Sequence, residues 1–252
     1  MNDNEVVLFS LLLLLAFVIM MIAGLLSRAL RRVPPLRIIS GYTAMPAAVD
    51  ASVEQARPVH LSPGSVRVGQ ESTLSALASL AIIYNLVEQQ AFMDRMPLAT
   101  LTDPVTLVTV QDAMRKAYTE RNNRDTYRSN ATVWFPQTER SLAFGAGAAG
   151  LASDVHAFAN ILMGQFGSEL AYIGETSARH NQVFIGHSTQ LEGQAIAYAQ
   201  SDALLIGEEL FVGEAYLNPE RSLDVGGVIA LDVLRWVAVA AIILIAINQG
   251  AS

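Results

Sequence analysis

Residues 6–26 (VVLFSLLLLLAFVIMMIAGLL) run without a single charged side chain. At 1.5 Å per residue a helix of that length covers about 30 Å, the thickness of a bilayer's hydrocarbon core. A stretch this long and apolar predicts a transmembrane helix. A secretory signal would need a basic head, a shorter apolar core and a small-residue cleavage site. Here Asp3 and Glu5 precede the run, and Arg28, Arg31, Arg32 and Arg37 follow it. By the positive-inside bias those arginines place the following chain in the cytoplasm and the short N-terminus outside. A second apolar segment, residues 233–247, closes the chain, and residues 228–231 extend it past Asp232. It predicts another span, with Trp236 beside Arg235 suited to the headgroup level and the C-terminus outside.

Two anchors divide the chain into residues 1–32, a cytoplasmic segment 33–223, and residues 224–252. The middle segment is long enough for one domain with a full core. Composition narrows its chemistry. The chain has no cysteine, which excludes disulfides and thiolate catalysis. Its 16 basic against 23 acidic residues give a net charge of −7, so it has no general attraction for nucleic acid. Lys116 is the sole lysine, leaving little scope for Schiff-base or phosphate-loop lysine chemistry.

Between the anchors short apolar runs alternate with stretches of helical spacing. Strands are expected at residues 59–61, 98–101, 131–135, 157–163, 183–185 and 203–206. Helices are expected at residues 71–90, 104–122, 138–152, 168–181 and 189–200, with a short one at residues 47–55. Asp103-Pro104 reads as an N-cap followed by a first-turn proline. Strands joined by helices of this length imply crossover connections and a mostly parallel sheet with helices on both faces, a Rossmann-like α/β fold.

Several motifs approach known chemistry and miss it. Gly145-Ala146-Gly147-Ala148-Ala149-Gly150 spells a dinucleotide fingerprint, but no strand ends beside it, so the glycines are expected within a helix, where they permit close packing. Gly64 to Gly69 follows the first strand as a phosphate loop would, yet Gln70 and Glu71 stand where Lys and Ser or Thr belong. Gly186-His187-Ser188-Thr189-Gln190 resembles a nucleophile elbow, but no histidine follows to complete a triad. The four histidines, His60, His156, His180 and His187, lack metal-ligand spacing. No catalytic residue, metal site or cofactor is therefore expected. The residues best placed to meet a ligand are Gly164, Gln165, Gly167, Ser168 and Glu169 after the fourth strand, and Gly207, Glu208 and Glu209 after the sixth. Both groups are expected at strand carboxyl ends that lead into helix N-termini, where open α/β sheets collect ligands.

The order of a membrane span, Leu36-Arg37-Ile38-Ile39-Ser40-Gly41-Tyr42, Arg57-Pro58-Val59-His60-Leu61-Ser62, Met163-Gly164-Gln165-Phe166-Gly167-Ser168-Glu169, Ile173-Gly174-Glu175-Thr176, Leu205-Ile206-Gly207-Glu208-Glu209-Leu210-Phe211 and a terminal span is similar to an uncharacterised bacterial family of double-anchored membrane proteins. The resemblance implies a bacterial plasma membrane and supplies no catalytic residue. The expected function is a scaffold that self-associates in the bilayer and displays its α/β domain. Small residues such as Gly226 with Ala230 and Ala238 with Ala241 favour close helix packing. The alternative is a tethered sensor that binds a nucleotide or other small anion at the strand ends. An enzyme ranks behind both.

Overall fold

The computed structural model describes residues 37–218, apart from residues 94 and 137–141, together with isolated helical positions between 11 and 22 and at 236 and 239. The apolar spans expected at residues 6–26 and 233–247 lie outside the described residues except for those isolated positions. Among the described residues no helix is long and apolar enough to cross a membrane. The chain divides into two compact units: Met1–Leu36 with Glu214–Ser252, and Arg37–Gly213, which holds the sheet.

The six strands are β1 (Val59–Gly64), β2 (Leu98–Leu101), β3 (Thr132–Trp134), β4 (Ala159–Gln165), β5 (Val183–Ser188) and β6 (Ala203–Leu204). They form one sheet in the order β3-β2-β1-β4-β5-β6, and every neighbouring pair is parallel. Chain order thus reverses between β1 and β4. The helices are α1 (Ser40–Glu54), α2 (Thr73–Gln90), α3 (Pro104–Glu120), α4 (Leu142–Asp154), α5 (Leu170–Arg179), α6 (Leu191–Gln200) and the short α7 (Gly213–Leu217), the last preceded by a 3-10 helix at Gly207–Val212. α1, α2 and α3 pack side by side on one face, while α4, α5 and α6 pack on the other.

Local chemistry explains most boundaries. The Asp103 carboxylate accepts from the Thr106 backbone N–H at 2.7 Å, and Pro104 supplies a first-turn residue with no N–H to satisfy. β1 and β4 are buried along nearly their whole length, as parallel strands covered on both faces must be. Pro63 lies inside the central strand β1, a position that removes a ladder donor. Both of β1's ladders accordingly shift register before Gly64, the one with β4 between residues 62 and 64, and resume at that glycine.

Several expected bounds need correction; β1 and β5 each run three residues further than expected, to Gly64 and Ser188. The helix expected at residues 47–55 begins at Ser40 and runs through Gly41 and Pro46. Pro46 forfeits one helical hydrogen bond, but Tyr42, Met45, Ala48 and Val49 form a buried stripe that covers β4, β5 and β6, and tertiary packing of that stripe outweighs the local defect. α1 therefore fills the place on this face that no later helix takes. The fourth strand also runs two residues further than expected, so Gly164 and Gln165 are strand positions rather than a loop. Gly164 aligns with Ser188, and Gln165 with Gly64.

A buried polar chain crosses the sheet's centre. Asn160 Nδ2 donates to Ser177 Oγ at 2.9 Å and to Gln182 Oε1 at 2.7 Å, which leaves its Oδ1 facing His60 Nδ1 at 2.7 Å. The imidazole proton therefore sits on Nδ1, and the bare Nε2 accepts the Thr100 hydroxyl at 2.8 Å. Ser177 Oγ passes its proton to the Ile173 carbonyl at 2.7 Å, so each shared hydrogen has one consistent placement. Burial lowers the His60 pKa to about 4, against the opposing pull of Asn160. The ring is neutral at physiological pH.

Candidate functional site

In a sheet of this order the crevice for a ligand opens where β1 and β4 part, because α2 and α5 leave them on opposite faces. Here the chain itself fills that place. Past the register shift the two strand ends are pressed together backbone to backbone. A Cβ on Gly64 (φ +70°) would lie 2.2 Å from the Gln165 carbonyl oxygen, and one on Gly164 (φ +154°) would lie 2.1 Å from the Pro63 carbonyl oxygen. The Phe166 ring lies against Gly64 and is fully buried. Gln165 O accepts both the Ser65 N–H at 2.9 Å and the Ser65 hydroxyl at 3.0 Å.

The loop after β1, which would cradle a pyrophosphate, uses its donors internally. Arg67 N–H bonds Ser72 Oγ at 2.9 Å, Val68 N–H bonds Thr106 Oγ1 at 3.3 Å, and Gly69 N–H bonds Thr73 Oγ1 at 2.9 Å. A phosphate there would have to displace those bonds. Gln70 and Glu71 argue against triphosphate from the sequence; the geometry adds a second reason.

The two groups of ligand-facing residues expected from the sequence meet at one end of the sheet, at the carboxyl edge of β4, β5 and β6. His187, next to last in β5, joins them. Its Nε2 lies 3.0 Å from the Gly207 carbonyl, so the Nε2–H donates there. Burial lowers its pKa, while the carbonyls of Gly207 and Gly164 pull the other way. Its Nδ1 is buried and makes no bond of hydrogen-bond geometry. In the sequence His187 stands out only as part of a hydrolase motif or a metal set, and nothing there signals its link to Gly207.

The other residues are mostly supports. Glu169 is buried to 1 % exposure at the start of α5; its Oε1 accepts the Gly167 N–H at 2.8 Å, and its Oε2 has no hydrogen-bond partner. The first turn of α5 thus carries its own carboxylate where an external anion would approach. Ser168 leads into that turn, its carbonyl accepting the Ala171 N–H at 3.1 Å. Glu209 is a clamp: Oε2 accepts the Ile206 N–H at 2.8 Å and Oε1 pairs with Arg37. Glu208 is exposed on the same 3-10 helix.

Ser188 is no nucleophile. Its hydroxyl donates to Phe166 O at 2.7 Å and accepts the N–H groups of Phe166 and Gln190 at 3.1 and 3.0 Å. The glycines of the 145–150 string lie in α4, where Gly145 abuts the Glu169 backbone and Gly147 abuts the Phe135 ring, so their work is close packing. Among the described residues no three histidine or carboxylate side chains gather as a metal site would require. A cleft of about 400 Å³ does occur, lined by polar residues such as Ser177, Asn181, Gln200 and Asp202 together with Val183 and Phe184. It lies at the amino end of β5, opposite the carboxyl edge. No sequence motif marks it, because its walls come from separate elements.

Fold and site together define a doubly wound, Rossmann-like α/β domain whose central crevice is sealed by its own backbone. A family model described as "Domain of unknown function (DUF6754)" matches residues 1–251, and the chain belongs to that family. No curated protein matches the chain. No solved structure matches it either.

Proposed function

We propose that the chain is a double-anchored protein of a bacterial plasma membrane that self-associates, and that its α/β unit is a cytoplasmic interaction module rather than a catalyst. The observation that carries this reading is the sealed crevice: Gly64, Gly164 and Phe166 occupy the place where this topology ordinarily holds a ligand. Anchoring is supported by the helical positions outside the domain. Leu11, Leu14, Phe17, Met21 and Ile22 are each at least half exposed, as lipid-facing side chains are. Native mass measurement of the full chain in lipid nanodiscs is expected to give a multiple of the 27.1 kDa protomer. A strict monomer would overturn the scaffold.

A second reading, a ligand sensor, is favoured by one observation. Glu169 Oε2 and His187 Nδ1 are buried without hydrogen-bond partners at the same edge. The Glu169 carboxylate suits a ligand that brings donors or positive charge, since the Gly167 N–H that would greet an anion is already taken by Glu169. A true ligand at a hundredfold excess over Kd adds about 3 kcal/mol of stability. Thermal-shift screening of nucleotides and of amines such as spermidine checks this, with Glu169→Gln expected to abolish any shift. No shift at millimolar concentrations would remove the sensor.

A further inference from the structure

We propose that the carboxyl edge of the sheet is a docking face for the surface of a lipid bilayer. Helix N-termini at such an edge ordinarily carry capping and acidic residues, and the loops between them are polar. Here those residues are present, among them Asp103, Glu169, Glu192 and Glu209, but large apolar side chains stand exposed between them. Of the fourteen large hydrophobic residues that are exposed within residues 37–213, ten lie just before or within the first two turns of α1 to α6, at the end of β3 or just after β6, and Phe211 lies on the 3-10 helix that follows. Because every strand is parallel and every connecting helix runs back against it, these positions share one end of the molecule. Leu74, Val108, Trp134, Leu142, Leu191 and Ile206 belong to five different connections, so the apolar rim spans the width of the sheet rather than one helix. Leu191 and Ile38 each leave 87 % of their surface uncovered. The opposite end exposes only Val53, Phe92 and Tyr198 among the described residues. A rim of this kind marks an interaction surface.

The chain itself indicates what covers it. Arg37 precedes α1 at this same edge, where Ser40 Oγ meets the Leu204 carbonyl at 3.2 Å. Residues 27–36 separate it from the uncharged run 6–26, and ten residues span at most about 35 Å. A domain tethered so closely by its rim meets the bilayer with that rim. The attraction is apolar: acids outnumber bases at this edge, where Arg37 and Arg67 stand among Glu71, Asp103, Glu192, Glu208 and Glu209, so docking draws nothing from anionic headgroups and uncharged phosphatidylcholine suffices. The inference rests on the proposed anchoring.

The test uses the full chain in phosphatidylcholine vesicles. The chain has no cysteine, so single spin labels can be placed at Leu74→Cys and Leu191→Cys on the rim and at Phe92→Cys and Tyr198→Cys at the other end. Rim labels are expected to collide with lipid-soluble oxygen and to be shielded from an aqueous nickel complex, in high and low salt alike; the opposite labels behave in reverse. In a Trp236→Phe background, acyl-brominated lipid is expected to cut Trp134 emission about twofold, as for an interfacial indole. Rim labels open to nickel, with Trp134 unquenched, would overturn the docking. Spin–spin coupling between rim labels of neighbouring molecules would put a second copy there instead and overturn it equally. Carbonate extraction separates the two readings: a chain that stays with the vesicles while its rim is wet refutes the docking alone, whereas a chain washed off refutes the anchoring and the docking with it.

Discussion

Gly64→Ala and Gly164→Ala are expected to abolish folding of the α/β unit. Each new methyl group would stand about 2 Å from a backbone carbonyl oxygen of the neighbouring strand, and neither strand can move away, because β1 and β4 are the two central strands of the sheet. A flexible side chain could swing aside; a paired backbone cannot. Left-handed φ adds about 1–2 kcal/mol of strain at Gly64. Together these effects exceed about 4 kcal/mol, in the range that empties the native state of an ordinary domain. Gly150→Ala is the control. It lies in α4 with nothing within 4 Å of the new Cβ, and replacing a helical glycine there is expected to stabilise by up to about 1 kcal/mol. Expression yield and thermal unfolding of the three variants, side by side, check the ranking. A soluble, cooperatively unfolding Gly164→Ala protein would show that the crevice is not sealed as described.

Acidification from pH 7 to pH 5 is expected to weaken the domain's centre by about 2 kcal/mol through His60 alone. The sign follows from proton counts. Unfolded, the imidazole binds a proton near its ordinary value of 6.5; folded, burial holds it near 4. Between those values the unfolded chain carries more protons, so stability rises with pH across that window and falls as the medium becomes acid. The full cost below about pH 4 is about 3 kcal/mol. His187, also lowered by burial, contributes with the same sign. Amide exchange in β1 and β4 of the full chain, measured at several pH values, reads this out. In His60→Ala the same amides are expected to exchange faster at pH 7, by about 3 kcal/mol, because Asn160 Oδ1 and Thr100 Oγ1 lose their partner in a buried site. Their pH dependence should shrink to what His187 supplies. A pH slope unchanged in the variant would mean that His60 is not the titrating group.

The alternation of strands and helices was legible because each short apolar run is bounded by turn residues, and the Asp103-Pro104 cap marks α3 to the residue. What escaped was set by contacts between distant segments. α1 is stabilised by a sheet face that α2 and α3 leave bare, and Pro46 hides it from any local rule. Gly164 and Gln165 read as a loop because glycine there looks like a turn, whereas its absent side chain is what admits the Pro63 carbonyl. The sealing of the crevice depends on Gly64 and Phe166 lying about a hundred residues apart in the chain yet touching. The polar chain around His60 is equally non-local: nothing at residue 60 announces Asn160, Ser177 or Gln182. Local chemistry thus marked the ends of elements, while long-range packing decided which of them bears on function.

α1 has one more consequence, for the way the protein is made. Its apolar stripe is synthesised first, but the strands it covers come last, and Ser40 waits for a partner 164 residues further along. At bacterial and eukaryotic translation speeds that interval is about ten to thirty seconds. Throughout it Tyr42, Met45 and Val49 lack the strands they will cover and have only α2 beside their helix, so ribosome-associated chaperones should find their binding site within the first helix of the domain rather than in its sheet.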